Sequence, residues 1–118
     1  MANILIVEDE TNMLRLLRDW LEFNDHNVYM AKDGVEGLDM LSQQKTPPDI
    51  IISDLSMPRM DGWELLSYLR KNEQWKKTHV IIISGSRVDE QNALQAGADQ
   101  FLLKPFTLSH LENALARL

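Results

Sequence analysis

Four short, unbroken aliphatic runs divide the chain: "ILIV" (Ile4 to Val7), "III" (Ile50 to Ile52), "VIII" (Val80 to Ile83) and "FLL" (Phe101 to Leu103). A strand with one wet face alternates apolar and polar residues, whereas a strand covered on both faces stays apolar throughout. The runs therefore predict buried, parallel strands. A fifth segment, "NVYMA" at residues 27–31, is mixed in character and suits the edge of the same sheet.

Parallel neighbours need crossover connections of a dozen or more residues, and helical patterns fill each gap. Thr11 is placed to cap a first helix with Leu14, Leu17 and Leu21 on one stripe. Leu16, Trp20 and Phe23 make a neighbouring stripe, so this helix is expected to be broadly buried. Asp33 with Glu36, and Asp61 with Glu64, have capping-box spacing at the starts of the second and third helices. The third continues through Leu65, Leu66 and Leu69. Ser86 is read as the start of a fourth helix that stops at Gly97, and Leu108, Leu111, Leu115 and Leu118 repeat at helical spacing in a fifth. Five βα units, with right-handed connections, pack most simply as a doubly wound α/β sandwich.

At 118 residues and 13.6 kDa the chain reads as one domain, residues 1–118, able to bury about two-thirds of its unfolded surface. It has no cysteine, hence no disulfide and no thiolate metal site. No apolar run approaches the ~18 residues that span a bilayer. The net charge of −6 argues against unaided binding to nucleic acid or to an anionic membrane. A cytoplasmic protein is the expectation.

In such a sheet, ligands bind outside the carboxyl ends of the strands. After "ILIV" come Glu8 and Asp9; after "IIIS" comes Asp54; after "VIII" comes Ser84; after "FLL" comes Lys104. Parallel strands bring all of these to one rim. Singly, each has an ordinary explanation: a helix cap, a turn, a lysine reaching solvent. Jointly they make a cleft with three carboxylates, a hydroxyl and an ammonium. A hard divalent cation relieves the repulsion, and Mg²⁺ prefers oxygen ligands while sharing its shell with phosphate. A phosphoryl group can then sit between Mg²⁺ and Lys104, with Asp54 as the carboxylate nucleophile.

"ILIVEDE", "DIIISDLSMPRMDG", "VIIISG" and "FLLKPF", in this order and spacing, resemble the receiver domain of two-component response regulators over the whole chain. The resemblance implies a flavodoxin-like five-stranded parallel sheet of order 2-1-3-4-5. It implies phosphorylation of Asp54 by a histidine kinase or phosphotransfer protein. Mg²⁺, with Mn²⁺ as its substitute, would be ligated by Asp9, by Asp54 and by the backbone carbonyl of Ser56, with Glu8 acting through water. Ser84 stands at the switch hydroxyl position, Lys104 at the phosphate-binding lysine and Phe101 at the aromatic switch. Pro105 stands where the family has a cis bond. Ser56 and Ser86 occupy the two positions where the family tunes access of hydrolytic water. Both are short and uncharged, which predicts slow self-dephosphorylation. Ser56→Asn combined with Ser86→Glu is expected to speed phosphoaspartate decay in Mg²⁺ by about tenfold, less than a full general base supplies. Unchanged decay would count against this role.

The implied switch draws Ser84 toward the phosphoryl group, lets Phe101 turn inward and reshapes the face made by the fourth helix, fifth strand and fifth helix. That face is the expected contact with a downstream target, a linked output domain or a second copy of the chain. The first helix is the expected kinase-docking element. Gly85 eases the loop's movement. Trp20 is read as core, Trp63 and Trp75 as partly exposed, and His26, His79 and His110 as surface residues. Rival readings fit less well. A flavin binder needs a glycine- and hydroxyl-rich phosphate loop where "EDETN" stands, and a haloacid-dehalogenase-type phosphatase needs an acid where Ser56 stands. A degenerate receiver acting only as a binding module is the alternative function; the complete set of acids, hydroxyl and lysine argues against it.

Overall fold

A computed structural model describes all residues, 1–118. Strands β1 (Asn3–Val7), β2 (Asn27–Ala31), β3 (Ile50–Asp54), β4 (His79–Ser84) and β5 (Gln100–Leu103) alternate with helices α1 (Thr11–Phe23), α2 (Gly34–Gln43), α3 (Gly62–Lys71), α4 (Asp89–Gln95) and α5 (Leu108–Ala116). All strand pairs are parallel and the sheet order is β2-β1-β3-β4-β5, the flavodoxin-like arrangement. The mixed segment is one edge strand, β2; the other edge is β5, whose "FLL" run fully buries only Leu102, so it is not the doubly covered strand expected.

Unbroken apolarity follows from cover on both faces. Leu5, Val7, Ile51, Val80 and Ile82 point into one core with Leu41 of α2, Leu65, Leu66 and Leu69 of α3 and Ala93 of α4. Their neighbours along the strands, Ile4, Ile6, Ile50, Ile52, Ile81 and Ile83, point into the other with Leu14, Leu17 and Leu21 of α1 and Leu111 and Ala114 of α5. No helix is long and apolar enough to cross a membrane.

Several local expectations need correction. Leu16 and Phe23 are exposed, 52 % and 85 % respectively, and Trp20 is half-buried, so α1 buries only its Leu14–Leu17–Leu21 stripe. A helix lying flat on one sheet face has no partner for a second stripe. Glu10, not Thr11, caps α1: its carboxylate accepts the N–H groups of Asn12 (2.9 Å) and Met13 (2.8 Å), and an acid there also meets the positive end of the helix dipole. Asp33 caps α2 through the Glu36 N–H, but Glu36 reaches back to the Lys32 N–H, so the box is not reciprocal; that of Asp61 and Glu64 is. Finally, α4 starts at Asp89, because the Ser86 N–H is already given to the Ser84 hydroxyl and residues 86–90 form single tight turns. Gly97, at φ 113°, ends that helix as expected.

Trp75 is buried rather than partly exposed, its ring tilted against that of Tyr68 as part of the core, while Trp63 is half-buried as expected. His79 and His110 are exposed; His26 is half-buried because its Nδ1 accepts the Ala2 N–H.

Candidate functional site at the carboxyl rim of the sheet

Sheet register decides which side chains meet. Val7 pairs with Ser53, Asp54 with Ile83 and Ser84 with Leu103, so the residues at or just beyond each strand end share one rim. Backbone bonds fix the positions: the Glu8 N–H donates to the Ala31 carbonyl (3.0 Å), that of Leu55 to Ile83 (3.1 Å) and that of Lys104 to Ser84 (2.8 Å). Glu8 is wholly buried and Asp54 is 6 % exposed, whereas Asp9 faces solvent.

Carboxylate oxygens of Glu8, Asp9 and Asp54 lie within 4.8 Å of one another. The Lys104 ammonium bridges two of them, 3.0 Å from Glu8 Oε1 and 3.4 Å from Asp54 Oδ1. The second Glu8 oxygen accepts the Glu10 N–H at 3.1 Å. Burial pushes the Asp54 carboxyl above the usual range, against the charge and hydrogen bond of Lys104. Burial likewise raises Glu8, against its bonds from Glu10 and Lys104. Burial alone would lower the Lys104 ammonium, yet the hydrogen bond and charge of Glu8, joined by Asp54, leave it raised. Three acids against one base leave the pocket short of about two positive charges, which a divalent cation would supply. The donor set, all hard oxygens, fits Mg²⁺.

Beyond Asp54 the rim opens into a cavity bordered by Ser56, Trp63, Ser84, Gly85 and Asp89. Ser56 is exposed on that border, and Ser86 is exposed on the loop after β4. Phe101 is half-buried against the core that includes Ala93 of α4, and it lines a groove between β5 and α5 with Phe106 and His110. The Lys104–Pro105 bond is cis. Among the residues singled out from sequence, Glu8, Asp9, Asp54 and Lys104 converge at one point. Ser84 borders the same opening but turns its hydroxyl to Asp89, at 2.7 Å, rather than to Asp54.

Three contributors had not been read from the sequence. Asp89 faces Ser84 through the fold of a loop, which no periodicity reports. Trp63 forms part of the cavity wall. Arg59, at φ 63°, clamps the buried Asp33 carboxylate (2.8 and 3.2 Å), which ties the loop after Asp54 to the start of α2 and holds the Asp33 carboxyl below its usual range. An Arg and an Asp 26 residues apart carry no sequence signal of contact.

Comparison with known proteins agrees with this fold. A response regulator MprA from Mycobacterium bovis (strain BCG / Pasteur 1173P2) is 39 % identical over 117 residues, covering 99 % of this chain and 49 % of that protein. The chain thus spans about half the length of the curated relatives it matches. The chemotaxis response regulator CheY4 of Vibrio cholerae superimposes with a TM-score of 0.90 at 30 % identity, covering 99 % of this chain and 98 % of that one. The receiver domain of a sensor histidine kinase from Pseudomonas aeruginosa PAO1 superimposes with a TM-score of 0.86 at 27 % identity, covering 98 % and 95 %; it was solved with a magnesium ion coordinated in its active-site cleft. The family model for the response regulator receiver domain matches residues 4–116, so this chain belongs to the response regulator receiver family of two-component signalling.

Proposed function

We propose that the chain is a phosphoacceptor switch: Asp54 takes a phosphoryl group from a histidine kinase or phosphotransfer protein, and the loop after β4 responds. The observation that carries this is the meeting of Glu8, Asp9, Asp54 and Lys104 at one point of the rim. An Asp54 oxygen attacks phosphorus, the bond from phosphorus to the donor's imidazole nitrogen breaks, and its electron pair leaves with the imidazole. Glu8, Asp9, Asp54 and the Ser56 carbonyl are the groups that would hold Mg²⁺, which when bound neutralises charge developing on the transferring oxygens. Lys104, already beside Asp54, exchanges its carboxylate contact for a phosphoryl oxygen. Glu8 keeps the ammonium aimed inward.

The Ser84 hydroxyl is the group available to the new dianion, and its movement would carry Gly85 and the start of α4. Phe101, on the groove beside α5, is the residue placed to follow. The face made by α4, β5 and α5 would then engage a protein target, a linked output domain or a second copy. On α1, the exposed Leu16 and Phe23 with half-buried Trp20 offer the kinase an apolar stripe. The compartment is the cytoplasm, where such kinases present their phosphohistidine.

The test is phosphoryl uptake from phosphoramidate, a small phosphorus–nitrogen donor. Uptake is expected in Mg²⁺ and is lost on chelation. No uptake in either condition would instead favour a binding module that works without phosphate.

A further inference from the structure

We propose that Asp89 is a resident competitor for the switch hydroxyl: it holds Ser84 in the unphosphorylated chain, and a phosphoryl group on Asp54 must displace it. This rests on reading Asp54 as the phosphoacceptor. Ser84 Oγ lies 2.7 Å from Asp89 Oδ2, accepts the Ser86 N–H at 3.0 Å and lies 3.3 Å from the Ser86 carbonyl. A hydroxyl has one proton to donate, and it goes to the shorter bond with the charged acceptor. Donation to Asp89 and donation to a phosphoryl oxygen are therefore mutually exclusive.

Placement makes the competition direct. Asp89 and Asp54 border the same cavity, with Ser84 and Gly85 on its wall. Asp89 is the first residue of α4, and the residue before it, Val88, makes no side-chain cap. The Asp89 carboxylate thus ties the start of α4 to the end of β4, and does so through Ser84. Breaking this bond removes the side-chain tie between α4 and β4, so its strength adds to what phosphorylation must supply before the α4 face moves. Asp89 acts on the switch through Ser84 and is a positioning residue.

Beryllofluoride, a phosphoryl mimic on carboxylates, provides the test, with binding in Mg²⁺ followed by tryptophan fluorescence, since Trp63 lines the cavity. Loss of one net hydrogen bond from the resting state predicts about five- to tenfold tighter binding by Asp89→Ala. Asp89→Asn keeps an uncharged acceptor and should fall between that variant and wild type. In a Ser84→Ala background, Asp89→Ala should change nothing. Unchanged affinity in Asp89→Ala while wild type binds would overturn the latch and leave the phosphoacceptor reading standing. Equal gains with and without the Ser84 hydroxyl would also overturn it, by showing charge repulsion alone. If wild type itself fails to bind, both proposals fall.

Discussion

Gly62→Ala should unfold at markedly lower urea than wild type, losing about 2–4 kcal/mol, and should lose most phosphoryl uptake. Gly62 begins α3, and its N–H donates to the Leu55 carbonyl at 2.9 Å. A Cβ there would stand 2.8 Å from Leu55 Cα and closer still to the Asp54 carbonyl oxygen. Both obstacles are backbone, so no side-chain rotation relieves them. Either α3 backs away from the sheet or the chain at Asp54 moves. Displacement of a reacting carboxylate by even an ångström can cost about a hundredfold in rate. Gly85→Ala is the control: a Cβ there meets nothing within 4 Å, and stability should stay within about 1 kcal/mol. Equal, small effects at the two glycines would refute the close-approach argument.

Lys104→Met should destabilise the metal-free protein by about 2 kcal/mol at neutral pH, below the range for a fully buried pair because the lysine is partly exposed. The variant leaves Glu8 and Asp54 without their ammonium partner. The pH dependence has a definite sign. Both acids titrate above their ordinary range in the folded chain, so the folded state holds protons that the unfolded chain releases. Stability therefore falls as pH rises from the ordinary carboxylate range through the raised values. Lys104→Met should steepen that fall, because Lys104 opposes the shift at both acids. The raised ammonium works at the other end: its contribution is complete at neutral pH and is lost as pH climbs from the ordinary lysine value through the raised folded one. Saturating Mg²⁺ should restore much of the variant's loss at neutral pH and little in acid, where protons occupy the acids. Thermal unfolding at both pH values, with and without Mg²⁺, is the measurement. A loss independent of pH and of Mg²⁺ would mean that Lys104 matters for packing rather than charge.

Much of the convergence at this rim is legible in the sequence. Glu8, Asp54, Ser84 and Lys104 each stand where an aliphatic run ends, and parallel strands turn that coincidence of sequence into proximity. The edge position of "NVYMA" and the reciprocal cap of Asp61 and Glu64 were readable for the same reason: burial and capping are local in sequence. Leu16 and Phe23 misled because periodicity says which residues share a helix face, not whether another element covers it. Glu10 was passed over because a longer carboxylate is a less usual cap than threonine. The start of α4 was misplaced, and the Asp89–Ser84 bond unseen, because loop conformation depends on which backbone groups are already taken. Arg59 and Asp33 meet only through tertiary folding.

The claim beneath the functional reading is that the rim arms one carboxyl, and only one, for chemistry. Intact-mass measurement after phosphoramidate treatment in Mg²⁺, on wild type and on Asp54→Asn, tests it most directly. The expected result is a single added phosphoryl group on wild type and none on the folded variant. A phosphoryl group carried equally by Asp54→Asn would contradict it.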